Sequence, residues 1–86
     1  MTFEIIWDEK SHAELEKLEK IIARRIFKKV SELKDNPYSK DLIKLKGEEG
    51  FRLRAGDYRV ILSIEKDKIL MLKVGHRKNI YERWFI

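Results

Sequence analysis

Apolar and polar residues alternate from Thr2 to Trp7, with Phe3, Ile5 and Trp7 on one side, which predicts a short strand with one face in a core. Asp8 follows as a helix N-cap, and acidic Glu9 sits in the first turn, where the helix dipole favours negative charge. The period then changes. Leu15, Leu18, Ile22, Ile26, Val30 and Leu33 recur every three or four residues, the apolar stripe of a helix. Glu14, Lys17, Lys20, Arg24, Lys28 and Lys34 fall to the opposite, solvated face. No Gly or Pro interrupts Glu9–Asp35, so this stretch is one long helix or two helices hinged near Leu18–Lys20. The hinge is preferred, because an unbroken helix of that length would outrun so small a core. Asn36-Pro37 ends the helical run, since proline lacks the amide proton and restricts the residue before it.

Residues 38–50 read as a connection, with Leu42, Ile43 and Leu45 packed under the sheet and Lys44 and Lys46 pointing outward. The rest reads as a three-stranded antiparallel meander at Phe51–Arg54, Tyr58–Glu65 and Ile69–Arg77. Gly56-Asp57, with glycine first, fits a two-residue type II′ hairpin, and Lys66–Lys68 is the second loop. The order is an N-terminal strand, a two-helix hairpin and then a meander. Residues 1–86 thus form a single α+β domain with its helices on one sheet face.

Alternation along the strands sorts the two faces. Phe51, Leu53, Tyr58, Val60, Leu62, Ile64, Leu70, Leu72 and Val74 are expected to face the helices. Arg52, Arg54, Arg59, Ile61, Ser63, Met71, Lys73, Gly75 and Arg77 are expected on the open face. The first hairpin sets Arg54 opposite Arg59 and Arg52 opposite Ile61; a three-residue second loop sets Arg59 opposite Gly75 and Ile61 opposite Lys73. Like charges directly opposite cost up to ~1 kcal/mol, so a face that gathers them is expected to meet a polyanion. Gly75 opposite Arg59 is expected to let a ligand backbone approach closely.

Charge sharpens this picture. The chain of 86 residues carries a net charge of +5. Residues 1–43 hold nine basic and nine acidic residues, whereas residues 44–86 hold eleven basic and six acidic, so the excess lies with the meander. The polyanion is RNA or DNA. Hydrophobic residues make up 43% of the chain, enough for a folded domain, and no run approaches the roughly 20 apolar residues of a membrane span. The absence of cysteine excludes a disulfide framework and a thiolate zinc site, and no His, Asp and Glu grouping has metal-ligand spacing. A cytoplasmic protein with no metal and no cofactor is expected. His76 is read as a packed residue, since its parity turns it to the core side. Nuclease chemistry here would be metal-free, which RNA permits because its own 2′-OH can attack the adjacent phosphate.

Four segments together carry a family resemblance: Leu45-Lys-Gly47, Phe51-Arg-Leu-Arg54, Gly56-Asp-Tyr-Arg-Val-Ile61 and Val74-Gly-His-Arg-Lys-Asn-Ile-Tyr81. With the helix start at Asp8 and the stop at Asn36-Pro37, the chain resembles a RelE/ParE-superfamily toxin of a type II toxin–antitoxin pair, RelE-type. The resemblance implies a microbial RNase-like RelE fold. It also implies an endoribonuclease that enters the ribosomal A site and cuts the exposed codon without metal, leaving a 2′,3′-cyclic phosphate and a 5′-hydroxyl. The implied partners are a cognate RelB-like antitoxin and a 70S-type ribosome carrying messenger RNA.

By motif, Arg52, Arg54, Arg59, Arg77 and Tyr81 take the catalytic positions, and Lys44, Lys46, Lys73, Lys78 and Arg83 are the expected RNA contacts. Arg52 and Arg54 stand where RelE toxins often carry lysine. Arginine is a poor proton donor or acceptor at neutral pH, so charge stabilisation rather than proton transfer is expected there. Tyr81 either stacks on a base and assists proton transfer, or joins Trp84 and Phe85 in anchoring a C-terminal turn. The alternative function is a ParE-like toxin that inhibits DNA gyrase and cuts nothing; a third is a nucleic-acid-binding domain without toxicity.

Overall fold

The computed structural model describes residues 2–37, 41–45 and 50–84, with residues 81–84 described in the backbone only. The first strand, β1, runs over Glu4–Trp7. Asp8 then caps helix α1 (Glu9–Glu16), its carboxylate accepting the Ser11 amide at 2.7 Å. That hydrogen bond holds the Asp8 carboxyl below its ordinary value. The chain bends at Lys17–Glu19 and re-enters helix as α2 (Lys20–Ser31), so the hinge expected from the sequence is present. A 3₁₀ turn over Glu32–Lys34 leads to the buried Pro37.

The remaining elements are β2 (Leu42–Lys44), β3 (Phe51–Ala55), β4 (Tyr58–Glu65), β5 (Lys68–His76) and α3 (Arg77–Trp84). They form one five-stranded sheet in the order β1-β5-β4-β3-β2, with β1 parallel to β5 and the other pairs antiparallel. The meander and the strand β1 were legible; the place of β1 beside β5 and the strand β2 were not. Leu42–Lys44 is no mere connection but an edge strand on β3, too short to show alternation. Ile43 is largely exposed there instead of packing under the sheet.

One sheet face packs against α1 and α2 around Ile26, Val30, Leu33, Leu53, Val60, Leu62, Ile69 and Met71. Each such side chain contributes about 1.5–3 kcal/mol of burial. The core membership corrects the expected parity of β5. Ile69 and Met71 are buried there, while Leu72 is exposed. The cause is a β-bulge: Leu62 pairs with Met71 but Ile61 pairs with Lys73, so Leu72 is an extra residue. The second loop has two residues, Lys66 and Asp67, because Glu65 pairs with Lys68. The bulge then supplies the one-residue shift that a three-residue loop would have given. Arg59 therefore still meets Gly75, as expected, for a different reason.

The other sheet face is also covered in part. Leu45, Ile61 and Ile80 form a second buried cluster, and Ile80 brings α3 down onto the sheet. A Cβ on Gly75 would lie 3.2 Å from Ile80 Cδ1 and Cγ1. The space that glycine leaves is filled by Ile80, and the expectation that a ligand backbone uses it is corrected. Among the described residues, no helix is long and apolar enough to cross a membrane.

Candidate functional site

The Gly56-Asp57 turn is the corner at which the arginines gather. Gly56 takes φ +63°, a conformation that L side chains rarely adopt, and so closes the β3–β4 hairpin tightly. That turn sets Arg54 opposite Arg59, and two residues further along Arg52 opposite Ile61. β5 ends beside the same turn, where the Arg77 amide donates to the Asp57 carbonyl at 2.8 Å. The backbone positions of Arg54, Arg59 and Arg77 thus lie at one end of the sheet, on strands β3 and β4 and at the start of α3.

Their environments differ. Arg59 is only 6% exposed, which corrects the picture of a fully open face. Its Nη1 donates to the Gly56 carbonyl at 2.8 Å and to the Tyr58 carbonyl at 2.9 Å. These charge-assisted bonds fix the guanidinium along the turn. Arg54 has a 61% exposed side chain whose Nη2 donates to Asp41 Oδ1 at 2.9 Å. The Arg77 side chain is 51% exposed, with Nε 3.9 Å from Asp57 Oδ1, too long for a hydrogen bond. Asp41 also pairs with Lys29, and the hydrogen bonds from Lys29 and then Arg54 hold its carboxyl below the ordinary value. Arg52 is half-buried beside Ile61.

His76 packs edge-on against Tyr58, ring centroids 5.3 Å apart, as its parity implied. Its Nδ1 accepts the Lys78 amide at 3.3 Å, at the first turn of α3. Among the described residues, no group of three or more His, Cys, Asp or Glu side chains is gathered to hold a metal ion.

The expected RNA contacts scatter. Lys78 is exposed on α3, next to Arg77. Lys73 is turned to α1, its Nζ 2.9 Å from Glu14 Oε2, and so does not join the arginines. Lys44 is exposed opposite Phe51, at the end of β3 away from the Gly56 turn. Lys46 lies outside the described residues, and of Tyr81 and Arg83 only the backbone is described, within α3.

Sequence reasoning placed Glu14 on the solvated face and passed over Ser11. Ser11 is fully buried, and its Oγ donates to the Met71 carbonyl at 2.9 Å. Glu14 Oε1 accepts the Val74 amide at 3.0 Å. The signal was present: residues 11, 14, 15 and 18 share one helix face, the face of Leu15 and Leu18.

Comparison with known proteins adds four observations. The family model described as the ParE toxin of type II toxin–antitoxin systems, parDE, matches residues 5–81. Toxin RelE3 of Methanocaldococcus jannaschii is 38% identical over 48 residues, 55% of this chain and 54% of the relative, so the chain spans about half the length of that curated relative. The archaeal RelE–RelB complex from Pyrococcus horikoshii superposes with a TM-score of 0.78 at 32% identity, covering 90% of this chain and 97% of that one. The RelBE2 toxin–antitoxin complex from Mycobacterium tuberculosis gives a TM-score of 0.80 at 22% identity, over 90% of this chain and 100% of that one, a likeness of fold.

Proposed function

The chain belongs to the RelE/ParE toxin family of type II toxin–antitoxin systems, and on that premise we propose that it is a ribosome-dependent endoribonuclease cutting messenger RNA in the A site. The observation that carries this reading is the placement of Arg54, Arg59 and Arg77 around the Gly56-Asp57 turn. Two of the three side chains are exposed, while the third is fixed beneath by carbonyls. A phosphodiester at this corner meets Arg54 and Arg77 directly, with the Arg59 charge behind them.

The reaction needs no external nucleophile. The RNA 2′-oxygen attacks the adjacent phosphorus, the bond from phosphorus to the 5′-oxygen breaks, and the products are a 2′,3′-cyclic phosphate and a 5′-hydroxyl. The 2′-proton leaves and the 5′-oxygen gains one. The arginines offset the charge that develops on the phosphate oxygens, donors already in place before the reaction begins. A guanidinium is a poor proton donor or acceptor at neutral pH, so proton transfer falls to another group, and Tyr81 on α3 is the candidate in this chain. Lys78 adds charge along the path of the strand.

The Pyrococcus horikoshii neighbour is a RelE–RelB complex, which supports a RelB-like antitoxin as this chain's cognate partner, with the ribosome as the second. A specific observation favours a second reading: the matching family model is that of ParE, which makes a non-cutting inhibitor of DNA gyrase the alternative. Primer extension on messenger RNA from translating ribosomes separates the two. Cuts at A-site codons on addition of the protein support the ribonuclease. Intact message together with gyrase-linked cleaved DNA supports the alternative.

A further inference from the structure

Strand β1 ends at Trp7, paired with Met71, while β5 continues to His76. Beyond Met71 no strand among the described residues lies beside the outer edge of β5, and α1 lies there instead. Two side chains of α1 take over the ladder: Ser11 Oγ donates to the Met71 carbonyl and Glu14 Oε1 accepts the Val74 amide. Residues three apart on a helix share a face, so this pair reads one stretch of strand edge.

The spacing on the strand is informative. In a regular strand, backbone groups on one edge recur every two residues, so Met71 and Lys73 would share the outer edge while the Val74 amide faced β4. Met71 and Val74 are three apart, and both face α1 only because Leu72 is an extra residue. The two anchors straddle the bulge. Glu14 also binds the residue inside it, Lys73, at 2.9 Å through Oε2. Without the bulge, the pairing of Glu65 with Lys68 would run on unshifted and set Val74 opposite Arg59. A one-residue slip turns every side chain beyond it to the other face, which would take Gly75 and the seat of Ile80 away from the arginine side.

We infer that Ser11 and Glu14 are positioning residues: from α1 they hold the bulge at Leu72, and with it the register that sets Gly75 opposite Arg59 and seats α3 at the arginine corner. In its consequence for cleavage this rests on the ribonuclease reading; in its consequence for register it does not. Both anchors are needed because each fixes one side of the extra residue. Glu14→Gln keeps an oxygen for the Val74 amide, whereas Glu14→Ala removes it.

The test uses Ser11→Ala, Glu14→Ala and Glu14→Gln in the full chain, with two readouts. Nuclear magnetic resonance follows cross-strand contacts between Arg59 and Gly75 and between Ile61 and Lys73, together with hydrogen exchange at the Val74 amide. Single-turnover and steady-state cleavage of ribosome-bound message give kcat and KM separately. Glu14→Ala is expected to speed exchange at Val74 about tenfold, the scale of one lost hydrogen bond. It is expected to lower kcat by roughly 10–10²-fold with little change in KM, the scale of a site misplaced by a fraction of an ångström to an ångström. Glu14→Gln should restore the cross-strand contacts and most of kcat. Should Glu14→Ala fail to fold, Glu14→Gln and Ser11→Ala decide: a Gln variant with wild-type register supports the inference, and one with lost register overturns it. Unchanged cross-strand contacts and Val74 protection in folded Glu14→Ala also overturn it, as does an altered register with unchanged kcat. If the wild type cuts no message at all, the ribonuclease reading fails while the resonance readout still decides the register.

Discussion

Asp41 receives Lys29 and Arg54 together, and its own carbonyl accepts the Arg54 amide at 3.0 Å. The Lys29 contact, then the Arg54 contact, lower its pKa from the ordinary 3.8. A carboxyl depressed on folding adds stability that is full above 3.8 and is lost as pH falls through the lower folded value. Asp41→Asn is therefore expected to unfold more easily than wild type at neutral pH, with the difference closing below pH 3.8. Denaturant melts at several pH values check this; a difference independent of pH would contradict it. Gly75 offers a second residue-scale prediction. A methyl group there meets fully buried Ile80 at 3.2 Å, so Gly75→Ala should cost about 1–3 kcal/mol by overpacking. A thermal melt with no fall in midpoint would show that α3 can yield. Arg59 carries a lesson at the same scale. Alternation put it on the correct side of the sheet, but alternation says nothing of what lies above a side chain, and Arg59 is buried with its guanidinium held by the turn carbonyls.

Among the elements, turn chemistry and capping were the legible signals. Gly56-Asp57 gave the right hairpin and with it the pairing of Arg54 with Arg59; Asp8 gave the right helix start. The bulge was not legible, because an extra residue in a strand such as Ile-Leu-Met-Leu-Lys leaves the apolar pattern plausible in either register. β2 escaped for its length, three residues, and the parallel place of β1 beside β5 escaped because pairing across the chain leaves no local mark. α2 shows a different weakness. Its N-cap is Glu19, which makes no side-chain capping bond. Glu19→Ser should therefore stabilise the domain by about 0.5–2 kcal/mol, the range of a gained cap. Chemical denaturation measures it, and an unchanged midpoint would mean that the hinge geometry cannot present the hydroxyl to the helix amides.

For the whole molecule, the imbalance of charge matters more than its total. Part of the excess of the second half of the sequence surfaces at Arg54, Arg77 and Lys78, with Lys44, Lys66 and Lys68 exposed away from them, while Lys73 is paired with Glu14 and Arg54 is shared with Asp41. Binding to ribosome-bound RNA is then expected to weaken as salt rises, with a logarithmic slope of about −0.7 for each phosphate neutralised. Arg77→Ala should reduce the magnitude of that slope by about one such contact. A slope that does not change would place Arg77 off the RNA path. The same corner is the surface that an acidic antitoxin segment would have to cover or distort in order to silence the protein.

If the arginine corner performs the cleavage, the Arg54→Ala/Arg77→Ala double variant should lose it. Both side chains are more than half exposed, so the fold should survive their truncation, unlike that of the buried Arg59. The measurement is the single-turnover rate of A-site cleavage on translating ribosomes, beside a circular dichroism melt that establishes folding. The expected result is a fall of roughly 10²-fold or more, the scale of losing a charge-stabilising donor. A folded double variant that cuts at the wild-type rate would show that the arginine corner does not perform the cleavage.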